Sequence, residues 1–421
     1  MLALGENNLM PCILKQKTKR SPGVITFTHN EILRGVVFKH KRVRDYLKST
    51  SEKSQWIYGV HIQGDCTYLK SWPIEPWQSF VMWSDPKAQF LNNISADKVL
   101  PLTCVNFMPE ALSFEKARDK AWDICIISRP SDIKRITETL YIARRLLDLK
   151  PDLKVAFIVA DPRSQQLGNK TYKTLGIEKS FFELPRKLFS SNELKNFSFI
   201  CSSQASFGNF PLSASFVADI IAKSKFLLLT SHSEGVPRVL AEALMLGTPC
   251  IVSKFLRSGI NRHLTLENTL FIEDEVEPAA RQIFEGLNNY ESYVVDRVKM
   301  NSEFSESVHK PYFLDYLSGL IASTGNSIEG AWYLNDLGLR LACHGQKHNY
   351  QFMHSEKLFF DWMEKITNLD KNETDEDVLF GEMLMDTPSL TLKEFINYLK
   401  LNFLNPVKRY IKYIRNKIAD N

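Results

Sequence analysis

The sequence predicts an α/β protein with two doubly wound domains, each built on a parallel sheet, and a helical C-terminal tail. Short segments rich in β-branched and aromatic residues alternate with segments of helical periodicity, first in one half of the chain and then again in the next. Beyond residue 310 the strand signals stop and helical patterns continue. We therefore divide the chain into an irregular basic segment, an N-terminal domain, a C-terminal domain and a helical tail that either stands apart or returns to the N-terminal domain: 1–22, 23–115, 116–305 and 306–421.

Composition and charge exclude several classes of protein. The 421 residues are 44% hydrophobic and 24% charged, as in ordinary globular proteins, and the net charge of +5 is too weak to indicate a nucleic-acid partner. The polar start MLALGENNLM does not fit a secretory signal, and no apolar run is long enough to span a bilayer. The seven cysteines are scattered singly without CxxC, which favours a reducing, cytoplasmic setting without a zinc site.

The N-terminal domain begins with the strand GVITFTHN, in which Asn30 can cap the helix EILRGVVFKHKRVRDYL. The polar segment STSEKSQ is then predicted to be a loop, and the strands WIYGVHI, SFVMWS and KVLPLTCV follow. This domain carries a lone Gly23 near its first strand and four closely spaced tryptophans. Its His61 is either a contact for a ligand or a histidine satisfied by its own surroundings.

The C-terminal domain contains six predicted strands: DICIIS, KVAFIVA, NFSFICSS, KFLLLTS, PCIVS and NTLFI. The helix DIKRITETLYIARRLLDL follows the first of them, and RVLAEALML follows the fourth. Because ligands of open parallel sheets bind beyond the carboxyl ends of the strands, the loops after DICIIS and KFLLLTS are expected to form the site.

The stretch SEGVPRVLAEALMLGTPC follows the apolar strand KFLLLTS and carries two carboxylates. Glu234 and Gly235 lie in the loop at the strand end, and Pro237 suits the first position of the next helix. The unsatisfied N–H groups of a helix N-terminus make an anion site there. Glu242 interrupts a helix that is otherwise apolar nearly all round, so either it binds a neutral hydroxyl pair such as a ribose or it is a structural glutamate paired inside the protein.

A pair of cations stands about a hundred residues upstream. Arg129 directly follows the strand DICIIS, Ser131 can cap the helix, and Lys134 is expected in its first turn. A lysine there opposes the helix dipole unless an anion is bound, and arginine presents a fork to phosphate oxygens. The alternative is that both side chains are simply solvated.

The spacing of Glu234-Gly235-x-Pro237, Glu242-Ala243 and Gly247-x-Pro249 resembles the signature of the glycosyltransferase group 1 family (family 4). Arg129 and Lys134 are similar to that family's Arg-x4-Lys element, although Arg135 stands where the family usually has glycine. The resemblance covers about residues 121–300 and implies a GT-B fold, with two Rossmann-like domains that face a cleft. It further implies a retaining, metal-independent transferase whose nucleotide-sugar donor is a co-substrate, with no cofactor.

The resemblance implies roles for individual residues. Glu234, Arg129 and Lys134 would be catalytic, Glu242 would hold the ribose, and the rest of the donor would contact the loop residues Ser233, Gly235, Val236 and Pro237. His61 and His232 are further candidates for contact with the acceptor or the sugar. A sugar phosphorylase, an epimerase or a non-catalytic nucleotide-sugar-binding scaffold are the alternatives.

The acceptor is expected to be a glycan, a lipid-linked sugar or a small molecule, as in polysaccharide biosynthesis. The final segment NPVKRYIKYIRNKI has an apolar stripe, Val407, Ile411, Ile414 and Ile418, with basic residues opposite. This helix either packs on the rest of the protein or lies on anionic lipid at the inner face of the membrane. The sequence does not identify the nucleotide base, the sugar or the linkage.

Overall fold

The structure is a computed structural model, and it describes residues 12–28, 37, 40–62, 75–83, 96–109, 119–128, 132–160, 166–167, 170–171, 184–202, 214–335, 337–342 and 356–368. Several features of the sequence analysis lie outside these ranges, among them Arg129, Asn30, Ser131 and the basic helix near the C-terminus. Within the described part of the chain, no helix combines the length and the apolar character needed to cross a membrane.

The first sheet has five strands in the order β1-β2-β3-β4-β5, and all neighbours are parallel except β1 and β2. Its members are β1 (Cys12–Lys15), β2 (Gly23–Thr28), β3 (Trp56–Ile62), β4 (Gln78–Trp83) and β5 (Val99–Leu100). The prediction that residues 1–22 are irregular is wrong for β1, which pairs antiparallel with β2 at the sheet edge. Four residues are too few for a periodic signal, so only the pairing reveals this strand.

The second sheet has six parallel strands in the order β10-β7-β6-β11-β12-β13. They are β6 (Trp122–Ser128), β7 (Val155–Ala160), β10 (Phe197–Ser202), β11 (Ser224–Leu229), β12 (Cys250–Ser253) and β13 (Thr269–Ile272); a separate hairpin joins β8 (Gln166–Leu167) and β9 (Lys170–Thr171). The strand order reverses between β6 and β11, which is the switch point where ligands of such sheets bind. The predicted α/β class with two largely parallel sheets is confirmed.

Ten α-helices belong to the described residues. They are α1 (Lys41–Glu52), α2 (Ile136–Leu149), α3 (Leu184–Leu188), α4 (Ala214–Ala222), α5 (Arg238–Met245), α6 (Val276–Asn288), α7 (Arg297–Phe304), α8 (Glu306–Ser323), α9 (Leu337–Ala342) and α10 (Glu356–Thr367). The first of them differs from its prediction, since it begins after an extended His40 and continues to Glu52, into the segment STSEKSQ that is predicted to be a loop. Thr50 explains the extension: its buried hydroxyl bonds to Tyr46 O and Tyr58 Oη, so this polar segment has partners within the fold.

Both faces of the second sheet are covered by helices, as its apolar strands predict. On one face α2 and α6 pack against Ile124 and Ile126 of β6, and on the other α4 and α5 pack against Cys125 and Ile127. The two sheets share one of these cores, because Ile57 and Phe80 of the first sheet belong to the same cluster as Cys125 and Ile127 of the second. The described end of the tail, α10, contributes Phe359, Trp362, Met363 and Ile366 to the core of the first sheet. The residue boundaries between domains stay a prediction.

Two buried cations join the N-terminal strand to the tail. Lys15 Nζ donates to Ser21 Oγ at 2.8 Å and to three carbonyl oxygens, those of Gln16, Pro22 and Glu329. Arg340 donates to Ile13 O at 2.6 Å and to Tyr333 O. A buried charge is tolerated when it is hydrogen-bonded, and both side chains bond mainly to backbone carbonyl oxygens. These bonds hold the β1 edge in place.

We expect Lys15→Met to destabilise the protein by about 2–4 kcal/mol, because buried carbonyl acceptors would lose their donor. The measurement is the free energy of unfolding in denaturant, compared with Lys19→Met, which changes an exposed lysine in the same segment. An equal, small effect of the two substitutions would contradict the role assigned to Lys15.

Candidate functional site

The candidate site lies where β6 and β11 end, at the switch point of the second sheet. Thr230, which follows β11, donates to the carbonyl oxygens of Lys134 and Arg135, both at 3.2 Å, and its hydroxyl lies 2.7 Å from that of Thr139. The loop after β6 is therefore tied to the loop after β11 by a buried threonine pair. Loops from strands that are a hundred residues apart in sequence become neighbours, as adjacent parallel strands require.

The clearest contact between these loops is an ion pair. Lys134 Nζ lies 2.6 Å from both carboxylate oxygens of Glu234, and the two side chains are only 23% and 10% exposed. The structure thus brings together two of the three residues assigned catalytic roles from sequence, while Arg129 is outside the described residues. Because the pair is largely buried, removing either partner would leave a charge in a poorly hydrated place.

The loop that carries Glu234 is held by a second loop, which follows β12. Glu234 N donates to Arg257 O at 3.0 Å, and Arg257 N donates to His232 O at 2.8 Å. Gly235 O accepts from Gly259 N at 3.1 Å and from Ser258 Oγ at 3.0 Å. This supporting loop was not part of the sequence prediction, although its place after the strand PCIVS, at the same sheet edge, was a usable signal.

Helix α5 carries the second carboxylate. It begins at Arg238, as the segment RVLAEALML predicts, but Pro237 is an extended N-cap residue without a side-chain cap instead of the first residue of the helix. Glu242 is 20% exposed, and its carboxylate makes no hydrogen bond to any residue in the described ranges. Burial raises the pKa of Glu242. The Arg238 guanidinium is nearby, but its Nη2 lies 3.9 Å from Glu242 Oε1. A glutamate fully satisfied within the protein would have closer partners, so this arrangement favours a ligand for Glu242.

The segment around Lys134 is not the helix start that the sequence predicted. Asp132–Lys134 forms a 3-10 turn, Arg135 has a left-handed backbone with φ 48°, and α2 begins only at Ile136. A continuous helix is incompatible with positive φ at Arg135, so Lys134 precedes the helix instead of lying in its first turn. The family that the sequence resembles usually has glycine at this position, and glycine adopts this conformation without steric cost.

The Arg135 side chain belongs to a polar cluster centred on Asp274. It donates to Asp274 Oδ1 at 2.9 Å and contacts His232 Nε2, which itself lies 2.7 Å from the same Asp274 oxygen. Ser253 Oγ donates to that oxygen as well, at 3.0 Å. Burial opposes ionisation of Asp274, but the bonds from His232, Arg135 and Ser253 prevail and its pKa is lowered. His232, predicted as a contact for the sugar or acceptor, is thus anchored to Asp274, a residue that the sequence prediction missed.

The remaining predicted residues fall in two places. Ser233, Gly235 and the buried Val236 line the loop between β11 and α5, beside the Lys134–Glu234 pair. His61 lies in the buried interior of the first sheet, within β3, and its Nδ1 is 3.2 Å from Thr26 Oγ1. Across the described ranges, no three His, Cys, Asp or Glu side chains are grouped so that they could hold a metal ion.

Comparisons with known proteins find similar structures only. Neither the protein-family models nor the curated proteins contain a match to this chain. A mutant of S. aureus TarM in complex with Fondaparinux, alpha-GlcNAc-glycerol and UDP matches with a TM-score of 0.45 at 14% identity, over 62% of this chain and 51% of that one. The pneumococcal O-GlcNAc transferase GtfA, in complex with UDP and GlcNAc, matches with a TM-score of 0.45 at 12% identity, over 66% and 55%.

A third similar structure is sucrose-phosphate synthase from Thermosynechococcus elongatus, with a TM-score of 0.45 at 14% identity over 71% of this chain and 74% of that one. The chain spans about half the length of the first two structures. At these scores and identities the likeness does not assign an activity, which has to come from the residues of the site.

The backbone at Arg135 leads to a stability prediction. We expect Arg135→Gly to be more stable than Arg135→Ala by about 1 kcal/mol, because both lose the side-chain contacts but only glycine adopts positive φ freely. Denaturant unfolding of the two variants measures the difference. The control is the same pair of substitutions at Arg145 inside α2, where the order is expected to reverse because alanine is the better helix former. The same order at both positions would contradict the left-handed turn.

Glu242 leads to a prediction about pH. Its folded-state pKa is raised above the usual 4.5, so its contribution to stability is complete at low pH and is lost as the pH rises through the folded-state value. Glu242→Gln should therefore unfold at a higher temperature than the wild type at pH 7, and this advantage should shrink as the pH falls through the folded-state pKa and be lost at about pH 4.5 and below. Thermal unfolding at several pH values tests this, with the exposed Glu285→Gln as a control that shows no such trend.

Proposed function

We propose that the protein is a glycosyltransferase that moves a sugar from a nucleoside diphosphate sugar to an acceptor hydroxyl. The observation that carries the proposal is the Lys134–Glu234 pair at the switch point, next to a helix whose Glu242 has no hydrogen-bond partner in the described chain. A cation for the phosphates and a carboxylate for the ribose are the two groups that such a donor needs. Their position at the carboxyl ends of parallel strands supports a nucleotide as the ligand.

In this proposal Glu242 accepts hydrogen bonds from the ribose hydroxyls of the donor. A neutral diol suits the carboxylate because it supplies two donors without requiring a second buried charge. The raised pKa of Glu242 shows that its charge is poorly supported in the free protein. A bound diol would favour the ionised form of Glu242, so donor binding would stabilise this poorly supported charge.

Lys134 and the first N–H groups of α5 act on the leaving group. When the sugar–phosphate bond breaks, negative charge grows on the departing nucleoside diphosphate, and fixed positive groups stabilise it without reorganisation. The α5 N-terminus has no side-chain cap, so its N–H groups are not engaged by the Pro237 side chain. Arg129 directly follows the strand DICIIS in the sequence, and its guanidinium group would bind two oxygens of the phosphates. These groups suffice for a mechanism without a metal ion.

Glu234 would contact the donor sugar once the diphosphate engages Lys134. In the free protein both carboxylate oxygens are bound to Lys134 at 2.6 Å, so donor binding has to share or replace this pair. The ion pair keeps the two groups oriented toward each other, which reduces the cost of ordering them when the donor arrives. We further propose that the reaction retains the anomeric configuration of the sugar. In this proposal the acceptor is a glycan, a lipid-linked sugar or a small molecule, and the protein is cytoplasmic with peripheral membrane contact.

The first experiment is a thermal-shift screen against nucleoside diphosphates and their sugars. A ligand at one hundred times its Kd stabilises the folded protein by about 2.7 kcal/mol, which raises the melting temperature measurably. We expect one nucleobase series to bind, and Lys134→Ala and Glu242→Ala each to abolish the shift and donor turnover. Lys154→Ala and Glu285→Ala, which change exposed residues of the same domain, are the matched controls.

Several results would overturn this function. Absence of any shift with all nucleoside diphosphates and nucleotide sugars would contradict the donor site itself. Cleavage that requires inorganic phosphate would indicate a phosphorylase, and conversion of donor alone an epimerase. Binding without turnover, unaffected by Glu234→Gln, would indicate a non-catalytic scaffold.

A further inference from the structure

Arg238, the first residue of α5, has an unusual environment for an arginine. Its side chain is 22% exposed, yet its guanidinium makes no hydrogen bond to any residue within the described ranges. The Nε atom is buried and has no partner there. A buried N–H donor seldom lacks an acceptor, so the Nε group, with the Nη groups beside it that make no hydrogen bond in the described chain, points to a ligand.

The position of Arg238 relates it to the donor site. It lies four residues before Glu242, so both side chains project from the same face of α5, and the closest approach is 3.9 Å between Nη2 and Oε1. This distance is too long for a hydrogen bond, so the pair leaves both groups available. Arg238 is one turn nearer the helix N-terminus than Glu242, on the side where the loop with Glu234 and Gly235 enters the helix.

We propose that Arg238 binds the diphosphate of the nucleotide donor with its guanidinium fork while Glu242 holds the ribose. This inference rests on the proposed function and adds a residue that the sequence motif does not include. The phosphates are joined to the ribose through its 5′ carbon, so a group that binds them has to lie beside the group that binds the diol. Arg238 has this position, and the fork of arginine matches two phosphate oxygens.

A purely structural role would have a different signature. If Arg238 only offset the charge of Glu242, its loss would weaken the binding of every ligand that contacts Glu242, including a nucleoside without phosphates. If Arg238 binds the diphosphate, its loss would weaken only ligands that carry phosphates. The comparison between a nucleoside and its diphosphate therefore separates the two roles.

The experiment measures the Kd of the nucleoside, the monophosphate and the diphosphate of the base that the wild type binds, by calorimetric titration. The variants are Arg238→Met, which keeps an unbranched apolar side chain of similar helix propensity without the guanidinium group, and Arg238→Lys. Arg281→Met, which changes an exposed arginine on α6, is the control. We expect Arg238→Met to weaken diphosphate binding about 10- to 100-fold, as for a charged hydrogen bond, and to change nucleoside binding less than about threefold.

We further expect Arg238→Lys to recover part of the diphosphate affinity, because the charge returns without the fork. An equal loss for nucleoside and diphosphate in Arg238→Met, or no loss for either, would overturn the inference while leaving the proposed function intact. A wild type that binds no nucleotide would overturn the proposed function, and this inference with it. Circular dichroism shows whether each variant is folded. If Arg238→Met is unfolded, the comparison of nucleoside and diphosphate binding is made with Arg238→Lys.

Discussion

The ion pair between Lys134 and Glu234 is the interaction on which the site depends, because it joins loops from the two strands that flank the switch point of the second sheet. Both carboxylate oxygens lie 2.6 Å from the ammonium group, and neither side chain is well exposed. Burial of two charges is costly, and the short contacts offset part of that cost. The hydrogen bond between Thr139 and Thr230 fixes the distance between the two chain segments that carry Lys134 and Glu234, and so keeps the two charged groups close together.

Charged side chains with little exposure to solvent have two contrasting environments in this protein. Lys15 and Arg340, which join the N-terminal strand to the tail, have their donors satisfied by backbone carbonyls and a serine. Arg238 and Glu242 on α5 are left 3.9 Å apart without comparable partners in the described chain. The first pattern is that of a structural charge. The second sacrifices stability locally, which is the pattern expected where a ligand completes the hydrogen bonds.

The turn at Arg135 shows how one residue serves both backbone and side chain. Its left-handed conformation ends the 3-10 turn that presents Lys134, and its carbonyl accepts from the hydroxyls of both threonines. Its guanidinium reaches Asp274 beyond β13, which also holds His232 and Ser253. A glycine at this position would form the turn without strain but would lose the link to Asp274. Asp274, in the loop after β13, therefore connects the loops after β6 and β11 with the end of β12.

Composition and periodicity are local properties, and they were enough to predict the alternation of buried strands and helices and to single out Glu242 as a carboxylate in an apolar helix. Tertiary structure decided the edge strand Cys12–Lys15, the start of α2 after Arg135, and the cluster around Asp274. Arg135 and Asp274 are 139 positions apart, and no local pattern relates them. Pairing across a sheet and the meeting of loops at its edge depend on which distant segments become neighbours, and only the folded chain specifies that.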